Sequence, residues 1–177
     1  PCPVPHLLKS HVLIMDFLGK DGWCAPRLKE VKMSLEQWLE CYITLCIDIR
    51  KMFHVCNLVH GDLSEYNLLW HENRVRIIDV SQSVEHSHPF SNEFLRKDVN
   101  NITMFFRKQG LQVLSNFDLY TFVTESSLNV VEGIDSQAEG EAHEVYERRV
   151  LEVMIDRTGE DTHWTKEELP EGAIRAG

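Results

Sequence analysis

Four residues stand where they can act together. They lie in His60-Gly61-Asp62-Leu63-Ser64-Glu65-Tyr66-Asn67 and in Ile77-Ile78-Asp79, twelve positions beyond Asn67. Asn67 offers a neutral amide oxygen and Asp79 a charged one, the hard ligands that Mg²⁺ takes while keeping few protein contacts. Asp62 is placed to orient an attacking hydroxyl or water and to accept its proton. Phosphoryl transfer needs little more than this, because its catalysis is mostly positioning and charge stabilisation. His60 reads as a brace for the loop, a core histidine with a backbone hydrogen bond. The bland alternative is a polar turn with two unrelated aspartates. The full eight-residue loop between apolar runs weighs against it.

The elements that must hold these residues are legible in the apolar pattern. Leu58-Val59, Leu68-Leu69-Trp70 and Val75 to Asp79 read as short strands, with His71-Glu72-Asn73-Arg74 turning the last two into a hairpin. A polar loop framed by such strands is where a rigid scaffold presents functional side chains. Upstream, Ser34 with Gln37 three residues on predicts a capping box. The helix that follows turns Leu35, Trp38, Leu39, Tyr42, Ile43, Cys46, Ile47 and Phe53 to one face. His11 to Phe17 reads as a buried strand, and Gly19, Gly22 and Pro26 break regular structure after it. Downstream, Ser91 is expected to cap a helix with Phe94, Leu95, Val99, Ile102, Phe105 and Phe106 inward, and Ser115 with Asp118 a short helix carrying Leu119, Phe122 and Val123. A last amphipathic stretch runs from about Glu141 to Ile155, and a polar, mobile end is expected after Arg157.

The loop follows the kinase pattern of His-x-Asp with Asn five residues after the Asp, and an apolar-apolar-Asp after the next hairpin. In detail, Leu58 to Asn67 together with Ile77-Ile78-Asp79-Val80-Ser81-Gln82-Ser83-Val84 resembles the RIO family of atypical kinases. The wording is closer to the first RIO branch, or its near animal relative, than to the second. Met15-Asp16-Phe17-Leu18-Gly19-Lys20-Asp21-Gly22-Trp23 with Ala25-Pro26-Arg27-Leu28-Lys29 resembles the family's hinge, and Phe94-Leu95-Arg96-Lys97-Asp98 with Asn101 its following helix. The resemblance covers about residues 11 to 125. It implies an α+β, mainly helical fold: a protein-kinase-like C-terminal lobe with a hinge strand and short catalytic β-hairpins. It implies Asp62 as catalytic acid/base, Asn67 and Asp79 as Mg²⁺ ligands, and Asp79 also as the phospho-acceptor in ATP hydrolysis. The backbone of Asp16 and Leu18 would hydrogen-bond the adenine of ATP. The implied setting is cytoplasmic maturation of the small ribosomal subunit, with possible shuttling to the nucleus. The implied partners are pre-ribosomal particles and assembly factors.

The expected organisation is a strand end and hinge over 1–20, a C-lobe over 21–131 and an acidic helix and tail over 132–177. The chain opens Pro1-Cys2-Pro3, and nothing before His11 reads as a phosphate-covering glycine loop or a strand lysine. It is therefore expected to be a piece of a larger enzyme, inactive alone. Ser64 stands where ordinary protein kinases carry a lysine, and no Ala-Pro-Glu follows Asp79. Both traits suit a slow ATPase switch, and the RIO family shares them.

Composition bounds the rest. The 177 residues carry 28 acids and 18 bases, a formal net charge of −10, and are 43% hydrophobic, enough for a packed core. Residues 132–177 hold 13 acids and 5 bases, so the body is nearly neutral. Such a chain lacks the broad positive field of a nonspecific nucleic-acid binder. Local groups such as Arg27, Lys29 and Lys32 remain candidates for ribosomal RNA contact, with solvated charge the preferred reading. Five cysteines without a Cys-x-x-Cys pair predict reduced thiols and no structural zinc, and His86-Ser87-His88 lacks a third metal ligand. No apolar run is long enough to span a membrane. Two other functions are weighed: a small-molecule kinase of the aminoglycoside or choline type, which also carries a His-Gly-Asp loop, and a non-catalytic module that binds pre-ribosomes.

Overall fold

A computed structural model of the chain describes residues 1–128 and 143–158. The chain begins as a hairpin of β1 (Pro5–Lys9) and β2 (Val12–Met15), then a second, shorter one of β3 (Gly19–Lys20) and β4 (Trp23–Cys24). After a 3-10 turn at Leu28–Glu30 comes the long helix α1 (Leu35–His54). Its start is set as the sequence predicts. Ser34 Oγ accepts from the Gln37 amide at 3.2 Å, and Gln37 Oε1 accepts from the Ser34 amide at 3.0 Å.

Strands β5 (Leu58–Val59), β6 (Leu68–His71), β7 (Arg74–Ile77) and β8 (Val84–Glu85) carry the loop region. β6 and β7 form the expected hairpin, registered Leu68 to Ile77 and His71 to Arg74. Glu72 and Asn73 both have positive φ, 52° and 56°, which fits the two-residue turn that matches strand twist. β5 pairs with β8, so the chain entering the loop is stitched to the segment after Asp79.

Helices α2 (Ser91–Lys108), α3 (Asn116–Thr124) and α4 (His143–Arg157) complete the packing. The core forms around α1, where Tyr42, Leu45 and Cys46 meet Val99, Ile102 and Phe106 of α2, Leu119 and Phe122 of α3, and Val150 and Leu151 of α4. Aromatic rings lock the α1–α2 contact: Trp38 meets Phe105 edge-on with centroids 5.8 Å apart, and Tyr42 lies 5.1 Å from Phe106. Burial pushes the Cys41 thiol up to about 12 and that of Cys46 up as well, so both are packing residues.

Helix α4 is joined to the lobe by a buried ion pair. Arg50 Nε donates to Glu147 Oε1 at 2.9 Å, with both side chains about 4% exposed. The same guanidinium donates to the carbonyls of Phe122 and Glu125, so it ties α1, the end of α3 and α4 together.

Two expectations are corrected. β2 is not buried: all four of its residues are exposed, as is β1, because the pair is a two-stranded ribbon with no further layer over it among the described residues. An apolar run predicts a strand, but what covers it lies outside the run. Ser91 does not cap α2. Phe90 is the N-cap, and Ser91 Oγ instead donates to the His86 carbonyl at 2.7 Å. The expected Ser115 cap is present, accepting from the Asp118 amide at 3.0 Å. The acidic segment 129–142 and the end 159–177 lie outside the described residues. Among the described residues, no helix is long and apolar enough to cross a membrane.

Candidate active site

The loop from His60 to Asn67 is held by hydrogen bonds at nearly every turn of its backbone. Gly61 makes the entry. Its φ is +81°, and a Cβ there would sit 2.6 Å from the Gln82 carbonyl oxygen, so only glycine fits. His60 is 2% exposed, and its Nε2 lies 3.1 Å from the Ile78 carbonyl while Nδ1 accepts from the Asp62 amide at 3.3 Å. This is the bracing role read from the sequence: with Nδ1 accepting, Nε2 carries the proton and donates to Ile78. Ser83 Oγ donates to the His60 carbonyl at 3.1 Å, closing the loop against the segment after Asp79.

The strongest tie comes from α2. Asp98, 1% exposed, accepts from the Gly61 amide at 2.8 Å and from the Leu63 amide at 2.7 Å, one bond to each oxygen. Asn101, one turn on, donates Nδ2 to the Leu63 carbonyl at 3.0 Å. Burial raises the Asp98 carboxyl to about 6, the two amide bonds pulling the other way. Sequence reasoning placed Phe94 to Asp98 on a helix but gave Asp98 and Asn101 no role. A polar pair at helical spacing, facing the apolar side of an amphipathic helix, was the signal available.

Asp62 and Asn67 are in contact. Asn67 Nδ2 donates to the Asp62 carbonyl at 2.9 Å and lies 3.4 Å from Asp62 Oδ2. With its amide nitrogen so engaged, Asn67 has Oδ1 as an acceptor without a hydrogen-bond partner among the described residues. The Ile78 amide donates to the Asn67 carbonyl at 3.0 Å, which brings the residue before Asp79 against Asn67. Asp79 itself sits at φ 62°, ψ 63°, a left-handed conformation uncommon outside glycine that Asp adopts more readily than most residues. Ser81 Oγ donates to Asp79 Oδ1 at 2.7 Å, leaving Oδ2 available. The oxygens of Asn67 and Asp79 are hard donors of the kind Mg²⁺ prefers. Around the loop, Lys97 Nζ lies 3.5 Å from Asp62 Oδ1, and Lys29 Nζ stands 3.9 Å from the centre of the Tyr66 ring.

Asp16 and Leu18, expected at a hinge, stand between β2 and β3. Asp16 donates its amide to the Val4 carbonyl at 2.9 Å, and the Leu18 carbonyl accepts from the Ala25 amide at 2.8 Å. The Asp16 carboxyl is held below the usual carboxylate range by the His6 ring at 2.6 Å and the Val4 amide. Among the described residues the Asp16 carbonyl and the Leu18 amide have no hydrogen-bond partner.

His88 has a structural post: its Nδ1 accepts from the Phe90 amide at 3.2 Å, and its ring stacks on Phe94. Among the described residues no three His, Cys, Asp or Glu side chains cluster as a metal site. A cavity of about 790 Å³, lined by Asp48, Arg50 and Glu147 among others, lies at the end of α1 against α4 and includes none of the loop residues.

Residues 1–119 match the family described as RIO domain. The chain is 44% identical over 169 residues to the serine/threonine-protein kinase rio1 of Schizosaccharomyces pombe, covering 92% of this chain and 34% of that protein. It is 53% identical over 125 residues to RIO1 of Caenorhabditis elegans, covering 71% and 25%, and 45% identical over 155 residues to human RIO3, covering 87% and 28%. It thus spans between a quarter and about a third of the length of these relatives. Its fold is similar to that of the Rio2 kinase from Chaetomium thermophilum, with a TM-score of 0.51 at 21% identity, over 88% of this chain and 49% of that one.

Proposed function

The chain belongs to the RIO domain family, and from that premise we propose that it carries the catalytic loop and metal-binding residues of a Mg²⁺-dependent ATP phosphotransferase or ATPase. The observation that carries the reading is the contact of Asp62 with Asn67 in a loop clamped by Asp98, with the Ile78 amide, next to Asp79, hydrogen-bonded to the Asn67 carbonyl. The names of its relatives, serine/threonine-protein kinases, support it.

Asn67 Oδ1 and Asp79 Oδ2 would hold Mg²⁺, which offsets charge on the nucleotide phosphates. The carbonyl of Asp16 and the amide of Leu18 would receive the adenine edge. Asp62 faces the nucleophile. As the oxygen of a hydroxyl or water bonds to the γ-phosphorus, the bond to the β-phosphate oxygen breaks, ADP leaves with that electron pair, and Asp62 takes the proton. In the second route, Asp79 Oδ2, no longer spent on the metal, would itself bond to the γ-phosphorus as the bond to the β-phosphate oxygen breaks and ADP leaves with that electron pair; water would then hydrolyse the aspartyl-phosphate to phosphate and free Asp79. The Ser81 hydroxyl would hold the other oxygen and so aim the attacking one. The biological setting we assign is maturation of the small ribosomal subunit, in the cytoplasm, on pre-ribosomal particles.

The test is to incubate the full-length protein with Mg²⁺ and γ-labelled ATP and quench in acid. A label that is stable to acid, released by hydroxylamine and absent in Asp79→Asn supports the aspartyl-phosphate. Turnover without any such label, at every time sampled, removes the second route and leaves direct transfer.

A further inference from the structure

The catalytic loop brings no fixed cation of its own: residues 60–67 contain neither Lys nor Arg, and Ser64 stands two positions after Asp62. A cation reaches the loop from α2 instead. Lys97 Nζ lies 3.5 Å from Asp62 Oδ1. Its neighbour Asp98 holds the loop backbone through the Gly61 and Leu63 amides, and Asn101 holds the Leu63 carbonyl. Three positions of one helix therefore address one loop: two fix its main chain, and the third reaches its reactive side chain. Asp62 Oδ2 is at the same time 3.4 Å from Asn67 Nδ2. Each oxygen of the carboxylate thus has its own neighbour, Oδ1 a cation from α2 and Oδ2 an amide from the loop.

We propose that Lys97 is a positioning residue for Asp62: its ammonium, delivered by α2, holds the carboxylate in the orientation that proton transfer requires. It does so from outside the loop, where Ser64 cannot. The proposal rests on the reading of Asp62 as the proton acceptor. An ion pair this exposed, with Lys97 58% and Asp62 39% accessible, adds little to global stability. Its effect is on geometry, where a displacement of about 1 Å can cost about 100-fold in rate.

Turnover of Mg²⁺-ATP by the full-length protein, with a melting curve on each variant, tests it. Lys97→Met lowers kcat about 10-fold, leaves the KM for ATP unchanged and leaves the melting temperature near that of the parent. Lys97→Arg recovers most of the rate. In an Asp62→Asn background, Lys97→Met costs less than about twofold further, because the residue it acts through is already gone. An equal loss in both backgrounds, or no loss in either, overturns the proposal. A second readout does not depend on turnover. In a crystal structure of Lys97→Met the Asp62 carboxylate is rotated or divided between rotamers; an unmoved carboxylate rejects Lys97 as its support. Turnover indifferent to Asp62→Asn would instead sink the proton-acceptor reading, while the crystal structure still decides the Lys97 contact.

Discussion

Replacing Asp98 by Asn keeps the shape of the clamp and removes its charge. The carboxylate accepts from two amides, Gly61 at 2.8 Å and Leu63 at 2.7 Å. A carboxamide has one oxygen for two donors, so one amide meets an NH₂ group, at a cost of about 1–3 kcal/mol for the unsatisfied donor. Against this stands relief of a buried charge. The Asp98 carboxyl is raised from 3.8 to about 6, which makes its ionised form cost about 3 kcal/mol relative to the unfolded chain. The two effects are of similar size and opposite sign near neutral pH, so Asp98→Asn is expected to change stability there by less than about 2 kcal/mol. At lower pH they separate. A carboxyl raised in the folded state contributes stability that is fully present below about pH 4 and is lost as pH rises through about 6. The variant lacks that dependence. Paired urea titrations at pH 4 and pH 7 should therefore show Asp98→Asn gaining on the parent by about 2 kcal/mol between them. A parent-minus-variant difference that is the same at both pH values refutes the buried, amide-clamping carboxylate. Turnover of the full-length variant should fall 10- to 100-fold at pH 7 regardless of stability, because the loop carrying Asp62 loses one of the two amide bonds by which Asp98 holds it.

Gly61→Ala should lower stability by about 1–3 kcal/mol, since φ is +81° and the new Cβ would meet the Gln82 carbonyl at 2.6 Å; a melting curve that superimposes on the parent contradicts that backbone. Arg50→Met leaves Glu147 buried without its partner and should cost about 3–5 kcal/mol in urea unfolding, while the double change with Glu147→Met recovers a large part of the loss. No recovery in the double variant argues that the guanidinium's bonds to the Phe122 and Glu125 carbonyls matter more than the ion pair. Ser34→Ala should cost about 1 kcal/mol through loss of the α1 cap, measured the same way, and a neutral result would mean that α1 packing alone sets the start of the helix.

What the sequence made legible was local. Ser34 and Gln37 bond to each other's backbone amides, and the His71–Arg74 turn sits between strands whose pattern predicted it. His60 was readable as a brace because a polar residue at the edge of an apolar strand, next to glycine, has a backbone partner nearby. The contact of Asp62 with Asn67 lies within one loop, where spacing constrains geometry. What remained hidden was non-local. Asp98 lies 37 residues from Gly61, and although the pattern of α2 puts its carboxylate on the apolar face, nothing in it says which backbone amides that carboxylate meets. A separation of 35 residues likewise hid the contact of Lys97 with Asp62. Asp79 was read at the end of a strand; β7 stops at Ile77, and the left-handed turn at Asp79 carries no sequence signal beyond Asp itself, which tolerates it. Ser91 looked like a cap because its type fits one, but the His86 carbonyl competes for its hydroxyl. The apolar run at 11–17 gave its strand and not its exposure.

The central claim is that Asp62 serves phosphoryl transfer from ATP. Steady-state Mg²⁺-ATP turnover by the full-length protein, parent against Asp62→Ala at pH 7 with both shown to be folded, tests it most directly. The account predicts a loss of about 100-fold or more in kcat, the scale of a lost proton acceptor, with the KM for ATP nearly unchanged. Parent and variant turning over ATP at the same rate would contradict it.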